Sequence, residues 1–137
     1  MRYESGPLRV VLVVEDDDPI AELLTGAINE EPGYIAMRVA KGPDALHVLG
    51  AVNADLVLMD IGLPGMSGLE VLDHMRKDAR LAKVPVVFET AVAPAHATDM
   101  RARGIAAYVK KPFDLTEIVA FVKKLAPLSR AHPTRSG

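Results

Sequence analysis

Val57-Leu58-Met59-Asp60-Ile61-Gly62-Leu63-Pro64-Gly65-Met66-Ser67-Gly68 is the stretch on which the reading of this chain turns. Its first residues end an apolar run, and a short run of that kind bounded by turn residues reads as a buried strand. Gly62, Pro64, Gly65 and Gly68 cannot continue it and predict a loop. Asp60 therefore stands where a buried strand leaves the core. In an open parallel sheet, the carboxyl ends of the strands carry the ligand site. Asp60 is thus the first candidate for a chemical role.

Outward from that stretch the chain alternates between strand and helix. Residues 8–14 are β-branched and apolar apart from Arg9, which predicts a central buried strand. Glu15, Asp16, Asp17 and Asp18 follow, then Pro19; acids and an early proline suit a helix N-terminus. Ile20, Leu23, Leu24, Ala27 and Ile28 predict one inward apolar face, and Pro32-Gly33 stops the helix. Tyr34–Val39 reads as the second strand. Pro43 opens a second helix at its first position, with Ala45, Leu46, Leu49 and Val52 inward and Asn53 at its end.

Residues 55–59 form the third strand, and Ser67-Gly68 opens a third helix that buries Leu69, Leu72 and Met75. Residues 84–88 make the fourth strand, with Pro85 near its start. Residues 94–103 predict a short, weakly apolar fourth helix capped by Gly104, and 105–109 the fifth strand. Asp114 caps a fifth helix whose inner face is Leu115, Ile118, Val119, Val122 and Leu125. Five alternations predict an α/β doubly wound, five-stranded parallel sheet with five helices, flavodoxin-like. The order 2-1-3-4-5 places the two most apolar strands, the first and third, in the middle. Its switch point falls beside Glu15, Asp16 and Asp60. The expected organisation is a flexible arm over 1–7, one domain over 8–126 and a loose tail over 127–137.

Composition narrows the function. The chain has 137 residues, half of them apolar, enough for one domain with a real core. No apolar run is long enough to cross a bilayer, and residues 1–7 lack the apolar stretch of a secretory signal, so a cytoplasmic location is expected. The absence of cysteine rules out a disulfide framework and a thiolate metal site. A formal net charge of −2 argues against a nucleic-acid-binding surface. The four histidines show no ligand spacing.

The acids at the sheet edge carry the chemistry. Three converging carboxylates repel one another unless a cation joins them. Oxygen donors without His or Cys select a hard ion, and Mg²⁺ suits such a site because it keeps several waters. A carboxylate can attack phosphorus and form an acyl phosphate, with a lysine near the phosphoryl oxygens. Lys110-Lys111-Pro112-Phe113 follows the fifth strand, and Thr90 ends the fourth. Asp60 is read as the phosphoryl acceptor. Asp17 and Asp18 read as solvated acids of the first helical turn, and Lys110 as solvent-facing.

Val-Val-Glu-Asp-Asp, Leu-Met-Asp-Ile-Gly-Leu-Pro-Gly-Met-Ser-Gly, Glu-Thr-Ala and Tyr-Val-Lys-Lys-Pro-Phe occur in that order and spacing. Together they resemble a receiver domain of a two-component response regulator, of the chemotaxis-regulator type, over roughly residues 8–125. The resemblance implies Asp16 as a direct Mg²⁺ ligand, Glu15 acting through water, Asp60 as phosphoacceptor and metal ligand, and the Gly62 carbonyl completing the shell. It implies Thr90, Lys111 and the Ala91 amide on the phosphoryl oxygens, Tyr108 as the aromatic switch residue, and a cis Lys111–Pro112 bond. It further implies transfer from a phosphohistidine of a histidine kinase or histidine phosphotransfer protein. The partner controlled downstream would meet the fourth helix, fifth strand and fifth helix. The resemblance implies no direct nucleic-acid or membrane contact and admits a homodimer. Such a module is a signalling switch that catalyses only its own phosphorylation and autodephosphorylation.

Two positions depart from the family pattern. Glu89 stands before the threonine, where an apolar or small residue is usual. Strand alternation turns it away from Thr90. It is expected to reach solvent at the strand end or to pair with Lys110 or Arg101, since a buried unpaired carboxylate is costly. Gly62 occupies a second variable position. Competing readings are a receiver excised from a larger hybrid kinase or multidomain regulator, an aspartate-nucleophile phosphohydrolase and a flavodoxin relative. The phosphohydrolase would want a second acid where Gly62 stands. The flavodoxin would want a phosphate loop where four acids stand.

Overall fold

Strand β1 (Arg9–Val14) is central and lies parallel to β2 (Tyr34–Val39) on one side and β3 (Leu56–Asp60) on the other. β4 (Val86–Thr90) adds beside β3, and β5 (Tyr108–Lys110) beside β4, so the order is 2-1-3-4-5, as the sequence predicts. The computed structural model describes residues 7–91, 98, 100–105 and 107–128. The bounded helices are α1 (Asp18–Asn29), α2 (Gly42–Ala51), α3 (Gly68–Arg76) and the last helix, α4 (Leu115–Leu125). Of the helix predicted over 94–103, residues 98 and 100–102 are helical, while 92–97 and 99 lie outside the described residues. The predicted arm over 1–7 and tail over 127–137 lie outside them too, apart from Pro7, Pro127 and Leu128.

Alternation along the strands divides the core into two layers. Val11 and Val13 of β1, Leu56 and Leu58 of β3, Val87 of β4 and Val109 of β5 face α1 and α4, where Leu24, Ile28, Ile118 and Val122 cover them. Leu12, Val14, Val57, Met59 and Phe88 face the other way, against Leu49 of α2 and Leu69, Leu72 and Met75 of α3. Each large apolar side chain fully buried in these layers contributes about 1.5–3 kcal/mol. Strands β1 and β3 are covered on both faces, which is why they read as unbroken apolar runs.

Local chemistry sets the helix ends. The Asp17 side chain accepts from the Ile20 amide, and Ser67 with Glu70 forms a reciprocal capping box on α3. Asp114 caps α4 by accepting from the Thr116 amide. Gly104 has φ +72°, and the bonds from Gly104 N to Arg101 O and from Ile105 N to Met100 O close a left-handed C-terminal motif.

Several boundaries differ from the sequence reading. Pro85 precedes β4, and Glu89 and Thr90 lie within the strand. β5 is only three residues long and starts at Tyr108. Pro43 occupies the second position of α2, since Lys41 is its N-cap. Leu23, expected inward, is 57% exposed, while Ala21 is buried in its place. The inward stripe of α1 runs through Ala21, Leu24 and Ile28, and three-four spacing alone does not fix its rotation.

Candidate functional site

Glu15, Asp60, Glu89 and Lys111 lie at the carboxyl ends of four neighbouring strands, on one face of the sheet. Asp60 pairs in register with Glu89, and Glu89 with Val109, two residues before Lys111. Val14 pairs with Met59, so Glu15 stands one step beyond β1 at the level of Asp60. Below these four polar groups lie Val13, Leu58, Val87 and Val109 of a single apolar layer. The polar cluster is therefore the last rung of that layer.

Asp60 is 8% exposed at the end of a fully buried strand. Its Oδ1 accepts from the Gly62 amide at 3.0 Å, which starts the turn away from β3. The loop returns through the Gly68 amide, which donates to the Ile61 carbonyl at 3.0 Å. A Cβ at Gly68 would stand 2.4 Å from the Asp60 carbonyl oxygen, so only glycine permits this close return. Gly62 packs loosely: a Cβ there would meet only Asp60 Oδ1, at 3.7 Å.

Lys111 bridges the acids. Its Nζ lies 3.1 Å from Asp60 Oδ2, 3.1 Å from Glu15 Oε1 and 3.7 Å from Glu89 Oε1. The Lys111 amide donates to the Thr90 carbonyl at 2.9 Å, which ties the β5 end to the β4 end. The Lys111–Pro112 peptide is cis. Burial works against the Lys111 charge, but the hydrogen bonds and charges of Asp60 and Glu15 outweigh it and hold the ammonium above its ordinary range. Thr90 is buried, Ala91 and Lys110 are exposed, and Tyr108 is 43% exposed on β5.

Glu15 is fully buried and accepts from the Asp17 amide at 3.0 Å. Burial would raise its carboxyl, but hydrogen bonds from Glu89, the Asp17 amide and Lys111 leave it below the ordinary value. The Glu15 carbonyl accepts twice from the Arg38 guanidinium, which also pairs with Asp18 at 2.8 Å. This arginine of β2 fixes the loop after β1, and nothing in its sequence position singled it out. Asp16 is exposed beside this cluster, and partial burial with repulsion from Glu15 and Asp60 pushes its carboxyl up.

Glu89 corrects the sequence reading. It neither reaches solvent nor pairs with Lys110 or Arg101; it is fully buried, and among the described residues the cation within ion-pair distance is Lys111. As carboxylates, Glu89 and Glu15 can share no hydrogen bond, and both Glu89 oxygens are then left without one. Burial and the neighbouring acids push the Glu89 carboxyl up to about 9. Carrying that proton, it can donate to Glu15. Alternation sets the face of Glu89, but its partner depends on register: Glu89 shares a face with Asp60 because the two pair across the sheet.

One carboxylate oxygen each from Glu15, Asp16 and Asp60 can lie within 4.8 Å of the others. The donor set is oxygen only, and exposed Asp16 leaves room for water, which fits Mg²⁺. Among the described residues no helix is long and apolar enough to cross a membrane.

The model of the response regulator receiver domain matches residues 11–123. The polar-differentiation response regulator DivK of Brucella ovis is 35% identical over 114 residues, covering 82% of this chain and 92% of that protein. Among solved structures, the response regulator TrrA from Thermotoga maritima, in complex with Mg(2+)-BeF, is 36% identical with a TM-score of 0.76, covering 86% of this chain and 99% of the other. The receiver domain of a sensor histidine kinase from Pseudomonas aeruginosa PAO1, with a magnesium ion coordinated in the active site cleft, is 26% identical with a TM-score of 0.75, covering 87% and 98%.

Proposed function

Since the chain belongs to the response regulator receiver domain family of two-component signalling, we propose that it accepts a phosphoryl group on Asp60 and thereby switches a protein partner. One observation carries this reading: Lys111 Nζ lies 3.1 Å from Asp60 Oδ2, at the edge where Glu15 and Asp16 also converge. An Asp60 carboxylate oxygen attacks the phosphorus of a phosphohistidine. The phosphorus–nitrogen bond breaks, the imidazole leaves with its electron pair, and an acyl phosphate forms on Asp60. Lys111, the Thr90 hydroxyl and the Ala91 amide take the phosphoryl oxygens. Asp16, Asp60 and the Gly62 carbonyl would hold Mg²⁺ directly, with Glu15 acting through water. The bound ion supplies neutralisation of the phosphoryl charge.

The donor is a histidine kinase or a histidine phosphotransfer protein. An apolar shelf lined by Ile20, Leu23, Pro112 and Phe113 borders Lys111 and gives such a donor a place to dock, which accounts for the exposure of Leu23. Output runs through Thr90 drawn towards the phosphoryl group and Tyr108 turning inward from its exposed position. The face read out by the partner comprises the helical residues 98 and 100–102, β5 and α4. The switch works in the cytoplasm, without direct contact to nucleic acid or membrane.

Acetyl phosphate and Mg²⁺ should add one labile phosphoryl group to the wild-type protein and none to Asp60→Asn, read by intact-mass spectrometry. Equal phosphorylation of the two proteins would overturn the assignment.

A further inference from the structure

Glu89 has no part in the chemistry above, yet its carboxyl is fully buried within the cluster. Lys111 has three N–H donors. Two donors serve Glu15 and Asp60 at 3.1 Å, and Glu89 Oε1 stands 3.7 Å from the same nitrogen. As a carboxylate, Glu89 has no hydrogen bond on either oxygen among the described residues. Charged or neutral, a carboxyl keeps an oxygen that can accept from the ammonium.

We propose that Glu89 is a positioning residue that competes with the phosphoryl group for Lys111 and weakens retention of that group. The inference rests on Asp60 being the phosphoacceptor. When one Asp60 oxygen becomes the bridging oxygen of an acyl phosphate, Lys111 must rebuild its contact on phosphoryl oxygens that lie beyond the carboxylate. Glu89 holds it back, because its backbone is level with that of Asp60 in the sheet and no water reaches its oxygens to replace the lysine. Moving the ammonium further from a buried carboxyl oxygen 3.7 Å away forfeits an electrostatic attraction that burial strengthens, and this destabilises the state in which the loss occurs. An apolar side chain at this position would exert no such hold.

Beryllofluoride, in the presence of Mg²⁺, is the probe, and its affinity for the full chain is read by isothermal titration calorimetry. Glu89→Val and Glu89→Ala should each bind it about fivefold more tightly than wild type, at the low end of coupling between sites. Two variants are used so that a folding failure in one leaves the other as the test. Glu89→Gln keeps a carbonyl acceptor for Lys111 and should stay within about twofold of wild type, a rescue that a purely structural role would not produce. Affinity in Glu89→Val and Glu89→Ala equal to or weaker than wild type overturns the proposal. So does an equal gain in Glu89→Gln, which would show that the charge of Glu89, and not its hold on Lys111, is what matters. Failure of wild type and every variant to bind overturns the phosphoacceptor reading as well, whereas an unchanged affinity leaves that reading standing.

Discussion

In the metal-free protein, stability should fall as pH rises through neutrality, and Glu89→Gln should flatten that fall. Burial, with the neighbouring Glu15 and Asp60, pushes the Glu89 carboxyl from 4.5 up to about 9. Between those values the folded chain keeps the proton and the unfolded chain gives it up. The contribution of Glu89 is then fully present below about pH 4.5 and is lost as pH rises towards 9. Each pH unit over which only the folded chain holds the proton is worth about 1.4 kcal/mol, so at neutral pH Glu89 costs the fold roughly 3 kcal/mol compared with acid conditions. Glu15, held below its ordinary value, works the opposite way, but its contribution is lost only as pH falls below that value. The raised Asp16 carboxyl is common to both proteins and cancels in their difference. Urea denaturation with a chelator, between about pH 5.5 and about pH 8.5, measures that difference. The advantage of Glu89→Gln over wild type should widen by about 1 kcal/mol per pH unit, slightly under the single-site value because Glu15 shares the proton. Parallel stability curves would refute the claim that Glu89 is buried as a neutral acid.

Two further outcomes follow from the loop after β3. Gly68→Ala would set a Cβ 2.4 Å from the Asp60 carbonyl oxygen and 3.0 Å from the Phe88 ring; overpacking of this kind should cost about 3 kcal/mol in a denaturation experiment and displace Asp60, so an unchanged midpoint would contradict the tight return. A Cβ at Gly62 meets only Asp60 Oδ1, at an ordinary 3.7 Å, so the backbone there accepts a side chain and Gly62→Arg should fold normally and still be phosphorylated. By covering the mouth of the site it should slow loss of the phosphoryl group severalfold, read as the decay of the phosphorylated mass after the donor is removed; decay at the wild-type rate would show that access at this position does not limit the lifetime.

The alternation of apolar runs with turn residues was enough to determine the sheet, its order and the edge at which Asp60 emerges. That information is local: a fully buried strand must be apolar along its length, and Gly, Pro, Ser67 and Asp114 mark its neighbours by backbone geometry and capping. Placing Glu15, Asp16 and Asp60 at one edge needed only the direction in which parallel strands end. The rotation of α1, which leaves Leu23 exposed, was not legible, because a helix with apolar residues over a wide arc can present more than one stripe. Nor was the partner of Glu89. Period-two alternation set the face it points to, but four cations follow it in the chain before the last helix: Arg101, Arg103, Lys110 and Lys111. Only the register of β3, β4 and β5 decided among them, by bringing the residue after β5 over the same apolar layer as Asp60 and Glu89. Arg38 reaching the Glu15 carbonyl is of the same kind, a contact between strands far apart in sequence. Such contacts are settled by pairing and packing of the whole sheet, and no local pattern encodes them.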